Sequence, residues 1–541
     1  MAYEPIWTAH PDKLNKFEFA KLEKDGLDVI RTIIENYASE GFDSITADDM
    51  DRFKWAGVYQ QKPKDGHFMM RVRINTGIMT SAQAHALADI ATLYGRGLVD
   101  VTTRQAIQFH WLTVQDLPDI FERLEKVDLY SFEACGDCPR TIVGNPLAGI
   151  DPNELVDTKD IVDEVNRFFV LNRDFSNLPR KYKMSISGNT YNNAQAEIND
   201  LSFTPATKVI DGEEVIGFHV MVGGGLSAKP HLAQSLDLFV RPDEVLKVSI
   251  AVTTIFRDYG YREKRHHARL KFLIADWGPE KFLAKLTEYI GEMPGRGEDK
   301  TIGWQAAYFD GVHPQAQQGL NYVGLNVPVG RLDADELHEL ANLADRYGDG
   351  QIRTTMSQNI LLSGVPDDQV DELLQAPVLQ RLTPQPKHFM SRTVSCTGNE
   401  FCNLAIVETK KRAVDVAEYL DQHVELDEKV RIHFIGCPNS CGHKHIADIG
   451  LQGSLIKTPE GMVDAFDIAV GGALGPGAQF NKALKGRVRG DQVGPVLAEL
   501  ILFYKENRNA DETFYAYVQR VGIPTFQEKL SAILQSSTVA S

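Results

Sequence analysis

The sequence repeats itself in a fixed order, and this repetition constrains its fold more than any other feature. Residues 68–110, which begin FMMRVRINTGIMTS, are echoed by residues 321–362, which begin NYVGLNVPVGRLDA. A second segment, GFHVMVGGGLS at 217–227, is echoed by AFDIAVGGALG at 465–475. The order A-B-A′-B′ indicates a duplicated chain with pseudo-twofold symmetry. Such a duplication places two halves around a shared cleft, which is a common location for ligands.

Each copy of the first repeat predicts a strand, a helix and a returning strand. Apolar residues recur at helical spacing in both copies: Ala84, Leu87, Ala88 and Ala91 in the first, and Leu337, Leu340, Ala341 and Ala344 in the second. Capping preferences predict helix starts at Ser81 and Asp333 and helix ends at Gly95 and Gly348.

The composition is that of a large globular protein with an acidic exterior. The 541 residues include 57 Lys and Arg against 74 Asp and Glu, a net charge of −17. This charge argues against nucleic acid or an anionic membrane surface as a partner. No secretory signal opens the sequence, and the apolar segment 493–504 is far shorter than the roughly 20 residues of a membrane span. We therefore expect a cytoplasmic protein.

Four of the six cysteines lie late in the chain. They read C-x5-C at Cys396 and Cys402 and, 34 residues later, C-x3-C at Cys437 and Cys441. In a reducing compartment, clustered thiols hold metal or carry out redox chemistry more often than they form disulfides. Four thiolates suit a tetrahedral zinc ion or a [4Fe–4S] cluster, and the five-residue gap counts against zinc. Four cysteines buried in a core are the remaining alternative.

These cysteine motifs resemble those of a known family. CTGNEFC at 396–402 and GCPNSC at 436–441, followed by IADIG at 446–450, closely resemble the sirohaem/[4Fe–4S] signature of assimilatory nitrite and sulfite reductases. The resemblance extends through the repeats and covers about residues 50 to 530. It implies an α+β, internally duplicated hemoprotein fold with ferredoxin-like half-domains and two mixed α/β domains that bind sirohaem and the cluster.

The resemblance also implies a division of the chain into domains. The predicted order is an N-terminal extension that wraps the core (1–62), a first ferredoxin-like half-domain (63–130), a first sirohaem-binding α/β domain (131–305), a second ferredoxin-like half-domain (306–385), and a second α/β domain for sirohaem and the cluster (386–541).

By the same resemblance, Cys396, Cys402, Cys437 and Cys441 hold the cluster, and Cys441 also bridges it to the sirohaem iron. Sirohaem is rich in carboxylates and the substrate is an oxyanion, so the pocket needs positive charge despite the acidic total. The residues implied to bind the oxyanion are Arg71, Arg140, Lys181 and Lys183, the arginines by charge-assisted hydrogen bonds and the lysines by delivering protons. Those implied to contact sirohaem are Arg104, Gln108, His110 and Asn439. Taken alone, each charged residue is more often a solvated surface group, and His110 a satisfied core histidine.

The sequence carries mixed signals about the substrate. GNPLAGIDPNELVDT and CTGNEFC resemble plant and cyanobacterial nitrite reductases, which usually place an asparagine two residues after the first pocket lysine. This chain has Lys183 there, and Lys-x-Lys is the sulfite-reductase pattern. Because pocket charge lies closest to the chemistry, we expect six-electron reduction of sulfite to sulfide. Reduction of nitrite to ammonium is the alternative.

Cys135 and Cys138 form a separate pair in the segment CGDCPR. A redox dithiol of the thioredoxin type needs a strand before it and a helix after it, whereas Pro139 and a loop-like sequence follow here. A position beside Arg140, near the pocket, fits better. Some sulfite-reducing members of the family carry a cysteine here close to a tyrosine equivalent to Tyr59. A thioether between Tyr59 and Cys135 is therefore a hypothesis.

Electrons are expected to come from a separate one-electron carrier, ferredoxin or flavodoxin, because no G-x-G-x-x-G follows a predicted strand. The stretch around Lys181 and residues 482–489 are candidate docking surfaces for such an acidic donor. The basic run 262–271 could meet sirohaem carboxylates, the donor or solvent. A monomer is expected, since duplication already supplies two halves. A non-catalytic iron–sulfur electron carrier and a structural zinc protein are the alternatives from other classes.

Overall fold

The computed structural model describes residues 6–306, 308–459 and 461–539. The helices in these ranges are α1 (Lys16–Glu23), α2 (Asp28–Thr32), α3 (Ala38–Glu40), α4 (Ala47–Arg52), α5 (Ser81–Tyr94), α6 (Leu117–Glu125), α7 (Lys159–Phe169), α8 (Val245–Tyr259), α9 (Leu270–Ile290), α10 (Ala334–Tyr347), α11 (Val370–Leu373), α12 (Lys410–His423), α13 (Val493–Asn507) and α14 (Phe514–Val539). Within the described chain, no helix is both long enough and apolar enough to cross a membrane.

The first repeat pair builds two five-stranded sheets. In spatial order, the first contains β1 (Val58–Gln60), β2 (Phe68–Val72), β5 (Ile107–Leu112), β4 (Leu98–Val101) and β13 (Arg331–Asp333). The second contains β11 (Gly311–Pro314), β12 (Leu320–Leu325), β15 (Ile360–Pro366), β14 (Gln351–Thr354) and β3 (Ile78–Thr80). Each sheet thus receives one edge strand from the other repeat, because β13 pairs with β4 and β3 pairs with β14.

This exchange produces the pseudo-twofold symmetry expected from the duplication and joins both half-domains in one hydrophobic core. The limits predicted for the domains stay predictions.

The helices of the two half-domains pack against each other, and all eight apolar residues predicted for their inner faces are buried. Asp333 caps α10 as predicted, accepting a hydrogen bond from the N–H of Glu336 at 2.8 Å. The cap of α5 is Thr80 rather than Ser81. The Thr80 hydroxyl accepts from the N–H of Gln83 at 3.2 Å, whereas Ser81 already lies in the first helical turn.

The second repeat pair builds the other two sheets. One contains β10 (Glu298–Asp299), β7 (Leu201–Ile210), β8 (Glu213–Val222) and β9 (Gln234–Val240), with β6 (Met184–Ile186) parallel to β7. The other contains β16 (Thr393–Ser395), β17 (Ile432–Ile435), β18 (Ile449–Thr458), β19 (Gly461–Val470) and β20 (Lys482–Arg489). Strands β16, β17 and β18 run parallel, and β18 to β20 antiparallel.

The two sheets place the predicted functional residues at their ends. Lys181 and Lys183 immediately precede β6, and the late cysteines follow β16 and β17. Helices α8 and α9 cover the first of these sheets, and α12, α13 and α14 cover the second.

Candidate active site

The late cysteines meet at the carboxyl ends of two parallel strands. Cys396 follows β16 directly and Cys437 lies two residues beyond β17, and Ser395 is paired with Phe434 in register. The N–H of Cys396 donates to the carbonyl of Phe434 at 3.1 Å. The N–H of Gly436 donates to the Cys396 Sγ at 3.2 Å. Carboxyl ends of adjacent parallel strands are a common ligand site, and here they bring both cysteine loops together.

The four thiols are close enough to perturb each other. Burial, and then the charge of Cys441, raises the pKa of Cys396 to about 12. Burial also raises the pKa of Cys437, with Cys441 and Cys402 adding to the effect. All four are free thiols, and Cys441 is exposed. They form one group that is open on one side.

This group fits an iron–sulfur cluster. Thiolates are the ligands of such clusters, and hydrogen-bond donors to a ligating sulfur tune its potential. Cys396 Sγ has the Gly436 N–H and the Thr409 hydroxyl, 3.7 Å away, as such neighbours. In the residues that the structure describes, no group of three or more Cys, His, Asp or Glu side chains is placed to hold a metal ion.

Basic side chains gather beside the thiols. Burial, and then the charges of Arg180 and Arg269, lowers the pKa of Lys181 to about 7, while Cys441 opposes the shift. Burial, followed by Arg104 and Lys181, lowers the pKa of Lys183 well below its ordinary value, again opposed by Cys441. The charge of Cys441 acts on both lysines, so the cations and the thiols belong to one site.

The basic group is short of negative charge. Burial, and then Arg140, lowers the pKa of Arg104 to about 9. Within the described chain, the Nε atoms of Arg71 and Arg104 are buried without a hydrogen-bond partner. Buried cations are normally paired, so this arrangement fits an anionic group such as sirohaem carboxylates or an oxyanion.

Arg71 and Gln108 join the first half-domain to the cysteine loops. Arg71 lies on β2 as predicted, and its Nη2 donates to Gln108 Oε1 at 2.9 Å. Gln108 Nε2 then donates to Thr397 Oγ1 at 3.3 Å, in the loop between two cysteines. Thr103 adds a second link, since its hydroxyl donates to the carbonyl of Cys441 at 2.7 Å.

Arg104 and Asn439 occupy different surroundings. Arg104 lies in the turn before β5, where its guanidinium donates to Asn199 Oδ1 at 2.9 Å and to the Thr141 carbonyl at 2.7 Å. Asn439 is exposed at the tip of the second cysteine loop. The turn carries Arg104 toward the second sheet pair, which strand periodicity does not reveal.

Arg140 lies beside Cys135 and Tyr59. Its Nε and Nη2 donate to the Gly136 carbonyl at 3.1 and 2.7 Å. Although burial opposes it, the charges of Cys135 and Tyr59 raise the pKa of Arg140. The Tyr59 and Cys135 side chains share a hydrogen bond. No helix directly follows Cys138 in this described segment, as the loop-like sequence predicted.

His110 lies in the protein interior next to the first cysteine loop, and not on the exposed side where Cys441 lies. It is fully buried, its Nε2 is 3.1 Å from Asp100 Oδ2, and its ring stacks on Phe401 at 3.8 Å between centroids. Asp100 also pairs with Arg331 at 3.0 Å and with Lys410 at 3.3 Å. The imidazole therefore supports the cysteine loop through Phe401.

Sequence reasoning missed the partners of the basic run 262–271. Arg262 pairs with Glu18 at 2.5 Å, Arg265 with Asp137 at 2.7 Å and Arg269 with Asp200 at 2.7 Å. The run is therefore largely an inward-facing set of ion pairs and not a solvated helix face. A signal for Asp200 existed, because AEIND at 196–200 is echoed by ADI at 447–449, where Asp448 pairs with Arg431.

Comparisons with known proteins agree with this geometry. The nitrite and sulphite reductase 4Fe-4S domain matches residues 135–293 and 388–537, and the nitrite/sulfite reductase ferredoxin-like half domain matches residues 59–127 and 313–379. These matches span most of the chain and occur twice each, in the order of the repeats. The chain belongs to the nitrite and sulfite reductase family.

Several relatives within this family match most of its length. A ferredoxin–nitrite reductase of Synechococcus elongatus is 42% identical over 92% of this chain and 97% of its own. An assimilatory ferredoxin-dependent nitrite reductase of Haloferax mediterranei is 40% identical over 92% of this chain and 90% of its own. A ferredoxin sulfite reductase of Mycolicibacterium paratuberculosis is 37% identical over 94% of this chain and 95% of its own.

A solved structure agrees over nearly the whole chain. The NirA protein of Mycobacterium tuberculosis matches with a TM-score of 0.91 and 36% identity, over 97% of this chain and 99% of that one. The predicted fold, the redox enzyme class and the sirohaem and [4Fe–4S] cofactors are thereby confirmed. The chain is therefore an oxidoreductase of the nitrite and sulfite reductase family. The comparisons do not single out sulfite, which the sequence analysis expected as the substrate. The relatives named as nitrite reductases are more similar to this chain than the one named as a sulfite reductase, and this favours nitrite.

Proposed function

We propose that this chain reduces nitrite to ammonium with electrons from reduced ferredoxin. The observation that supports reduction of a small oxyanion, whether nitrite or sulfite, is the placement of Lys181 and Lys183 in the same charged site as the cluster thiol Cys441. A small oxyanion in this site lies among cations and next to the entry point of electrons. The greater identity to the named nitrite reductases supports nitrite over sulfite.

The cofactor ligands follow from the two thiol loops. Cys396, Cys402, Cys437 and Cys441 would hold the [4Fe–4S] cluster, with Cys441 shared with the sirohaem iron. Sirohaem and the cluster, when bound, supply the electron transfer that the protein's side chains cannot. Arg104, Gln108, His110 and Asn439 would hold sirohaem, Arg104 and Gln108 by direct contact and His110 through the packing of Phe401.

The remaining cations would handle the oxyanion. Arg71 and Arg140 offer planar guanidinium groups that orient an oxyanion through charge-assisted hydrogen bonds. Lys181, whose pKa is about 7, can hold or release a proton near neutral pH. The adjacent Lys183, whose pKa burial and neighbouring cations lower, would be a second proton donor to the oxygens that leave as water.

Sulfite is the second candidate substrate, and the Lys181–Lys183 pair favours it. The deciding measurement is kcat/KM for nitrite and for sulfite with the same chemically reduced ferredoxin. A higher value for nitrite supports the proposal. A higher value for sulfite would replace nitrite as the substrate while leaving the site assignment intact.

The visible spectrum of the purified protein separates this enzyme from the alternatives of other classes. Sirohaem gives a Soret band and a band in the near red in a green-brown protein. A plain brown shoulder would indicate an iron–sulfur carrier, and a colourless protein with one bound zinc ion would indicate a structural zinc protein. Only the first outcome is compatible with the proposed reaction.

The donor would dock through a local basic surface. The side chains of Lys482, Lys485, Arg487 and Arg489 are exposed along the edge strand β20, whereas Lys181 is recessed among other cations. Ferredoxin affinity that falls steeply with added salt is expected, and salt-insensitive binding would contradict an electrostatic dock. Flavodoxin is the alternative donor.

We also infer that the enzyme is monomeric and cytoplasmic. Light scattering would measure its mass in solution and test the monomeric state.

A further inference from the structure

Helix α12 begins beside Cys396. The preceding residue, Thr409, donates from its hydroxyl to the Cys396 carbonyl at 2.7 Å, and the same oxygen lies 3.7 Å from Cys396 Sγ. Gly398 makes this approach possible, since a Cβ there would come within 2.6 Å of Thr409 Oγ1. The N-terminus of a helix carries partial positive charge. The first helical residue, Lys410, thus begins next to a cluster thiol.

The Lys410 side chain is buried, which is unusual for a lysine. It is 3% exposed, and its Nζ donates to the Val329 carbonyl at 2.5 Å. The same Nζ lies 3.3 Å from Asp100 Oδ1. Val329 and Asp100 come from the two half-domains, so both repeats hold this ammonium in place.

The Asp100 carboxylate also pairs with Arg331, which contacts the cysteine loop 396–402. Arg331 Nε lies 3.0 Å from Asp100 Oδ1, and its Nη1 donates to Glu400 Oε2 at 2.9 Å. The guanidinium also lies over the ring of Phe401, 5.7 Å from its centroid. Although burial opposes it, the charge of Lys410, followed by His110 and Arg331, lowers the pKa of Asp100. Burial lowers the pKa of Lys410, and the ionised Asp100 carboxylate 3.3 Å away opposes that shift and favours the charged ammonium.

We propose that Lys410 is a positioning residue for electron transfer: a fixed positive charge beside Cys396 that raises the reduction potential of the cluster. This inference rests on the proposed function, because it takes Cys396 as a cluster ligand. Reduction adds one electron to the cluster, and a nearby cation stabilises the extra negative charge by Coulomb attraction, strongly so in a low-dielectric interior. Asp100 offsets only part of this effect, since its charge is divided among Lys410, Arg331 and His110.

The test is a potentiometric titration of the purified holoenzyme, with the reduced cluster followed by electron paramagnetic resonance. In Lys410→Met and Lys410→Gln, we expect the ratio of reduced to oxidised cluster at a fixed potential to fall about tenfold, a shift of about 59 mV to more negative values. Lys410→Arg keeps the charge and should titrate like the wild type. The matched control is Lys411→Met, because Lys411 is exposed and pairs with Asp415 on the helix surface at 2.8 Å.

Each result has a distinct meaning. Wild-type potential in Lys410→Met and Lys410→Gln, with the cluster present, would overturn the inference. Loss of the cluster from both neutral variants would also overturn it, since Lys410 would then serve assembly rather than potential. An equal shift in Lys411→Met would show that the effect is not specific to the buried site. Absence of a cluster signal from the wild type would instead refute the proposed function.

Discussion

The Asp200 carboxylate accepts two hydrogen bonds from the Arg269 guanidinium, at 3.1 and 2.7 Å. It accepts a third from the backbone N–H of Lys183 at 2.9 Å. The second half repeats the arrangement, because Asp448 accepts two bonds from Arg431 and one from the backbone N–H of that residue. The duplication therefore extends to the ion pairs that fix the chain before β6 and β17, and in the first half that chain carries the pocket lysines.

Asp200→Asn is expected to destabilise the protein and to weaken substrate binding. The change leaves Arg269 buried without its charge partner, which costs about 3 kcal/mol of the free energy of unfolding. It also frees the backbone at Lys183, so KM for nitrite should rise. Urea unfolding and steady-state kinetics measure the two effects. Asp448→Asn is the matched control, which should lose similar stability without the same rise in KM, and an unchanged KM in Asp200→Asn would contradict this role.

Lys183→Asn is expected to move selectivity toward nitrite. The substitution removes a basic group from the pocket, and sulfite presents more negative oxygen to neutralise than nitrite does. The ratio of kcat/KM for nitrite to kcat/KM for sulfite should rise about tenfold. This corresponds to a loss of about 1.4 kcal/mol in the stabilisation of the sulfite transition state relative to the nitrite transition state. A ratio equal to that of the wild type would show that Lys183 does not set the preference.

The activity should depend on the protonation of Lys181. The pKa of this lysine is lowered to about 7 by burial and neighbouring cations, so its charged form is lost as pH rises through the folded-state value. The carboxylates of bound sirohaem would raise the pKa of Lys181, because nearby negative charge stabilises its ammonium form. We expect kcat/KM to fall with rising pH in a limb at or above pH 7, and Lys181→Met to have low activity without this limb. A Lys181→Met enzyme with the wild-type limb would assign the titration to another group.

Glu133 should make the protein less stable at alkaline pH. It is fully buried, and burial raises its pKa from 4.5 to about 7. Between pH 4.5 and about pH 7 the folded state binds more protons at Glu133 than the unfolded state does, so the free energy of unfolding falls as pH rises through this range. Glu133→Gln cannot ionise and should be more stable than the wild type at pH 8, by about 1–3 kcal/mol, but not at pH 4. Equal unfolding midpoints at pH 8 would contradict this prediction.

The Tyr59–Cys135 thioether remains a specific chemical prediction. The two side chains share a hydrogen bond, and Arg140 and then Arg71 outweigh burial and lower the pKa of Cys135. Formation of the C–S bond is a two-electron oxidation that needs an external oxidant such as dioxygen to take up the two hydrogen atoms. Peptide mass analysis of protein exposed to air should find the two peptides joined and lighter by two hydrogen atoms. Cys135→Ala should remove the linked species, whereas Cys138→Ala should retain it. Two separate peptides of unmodified mass in the wild type would rule the link out.

Much of the fold could be predicted because it is encoded locally. Helical spacing placed the buried faces of α5 and α10, and repeated glycines placed their ends. The cap of α5 was misplaced by one residue, since Thr80 and Ser81 are both capping residues and only backbone geometry distinguishes them. The ion pairs of the basic run 262–271 were not predicted, because residue spacing alone does not show where the carboxylate partners lie.

By itself, the sequence determined the duplication, the two late cysteine motifs and the cationic residues, because repeats, spacing and residue chemistry are properties of the linear chain. Only the tertiary structure decided that β3 and β13 exchange between the half-domains, that His110 lies in the interior next to the first cysteine loop and that Asp100 links Lys410 to Arg331. These features depend on contacts between distant parts of the chain, such as the Thr103–Cys441 hydrogen bond across 338 positions. No local pattern specifies such pairs. They arise when the two half-domains pack against the cysteine loops.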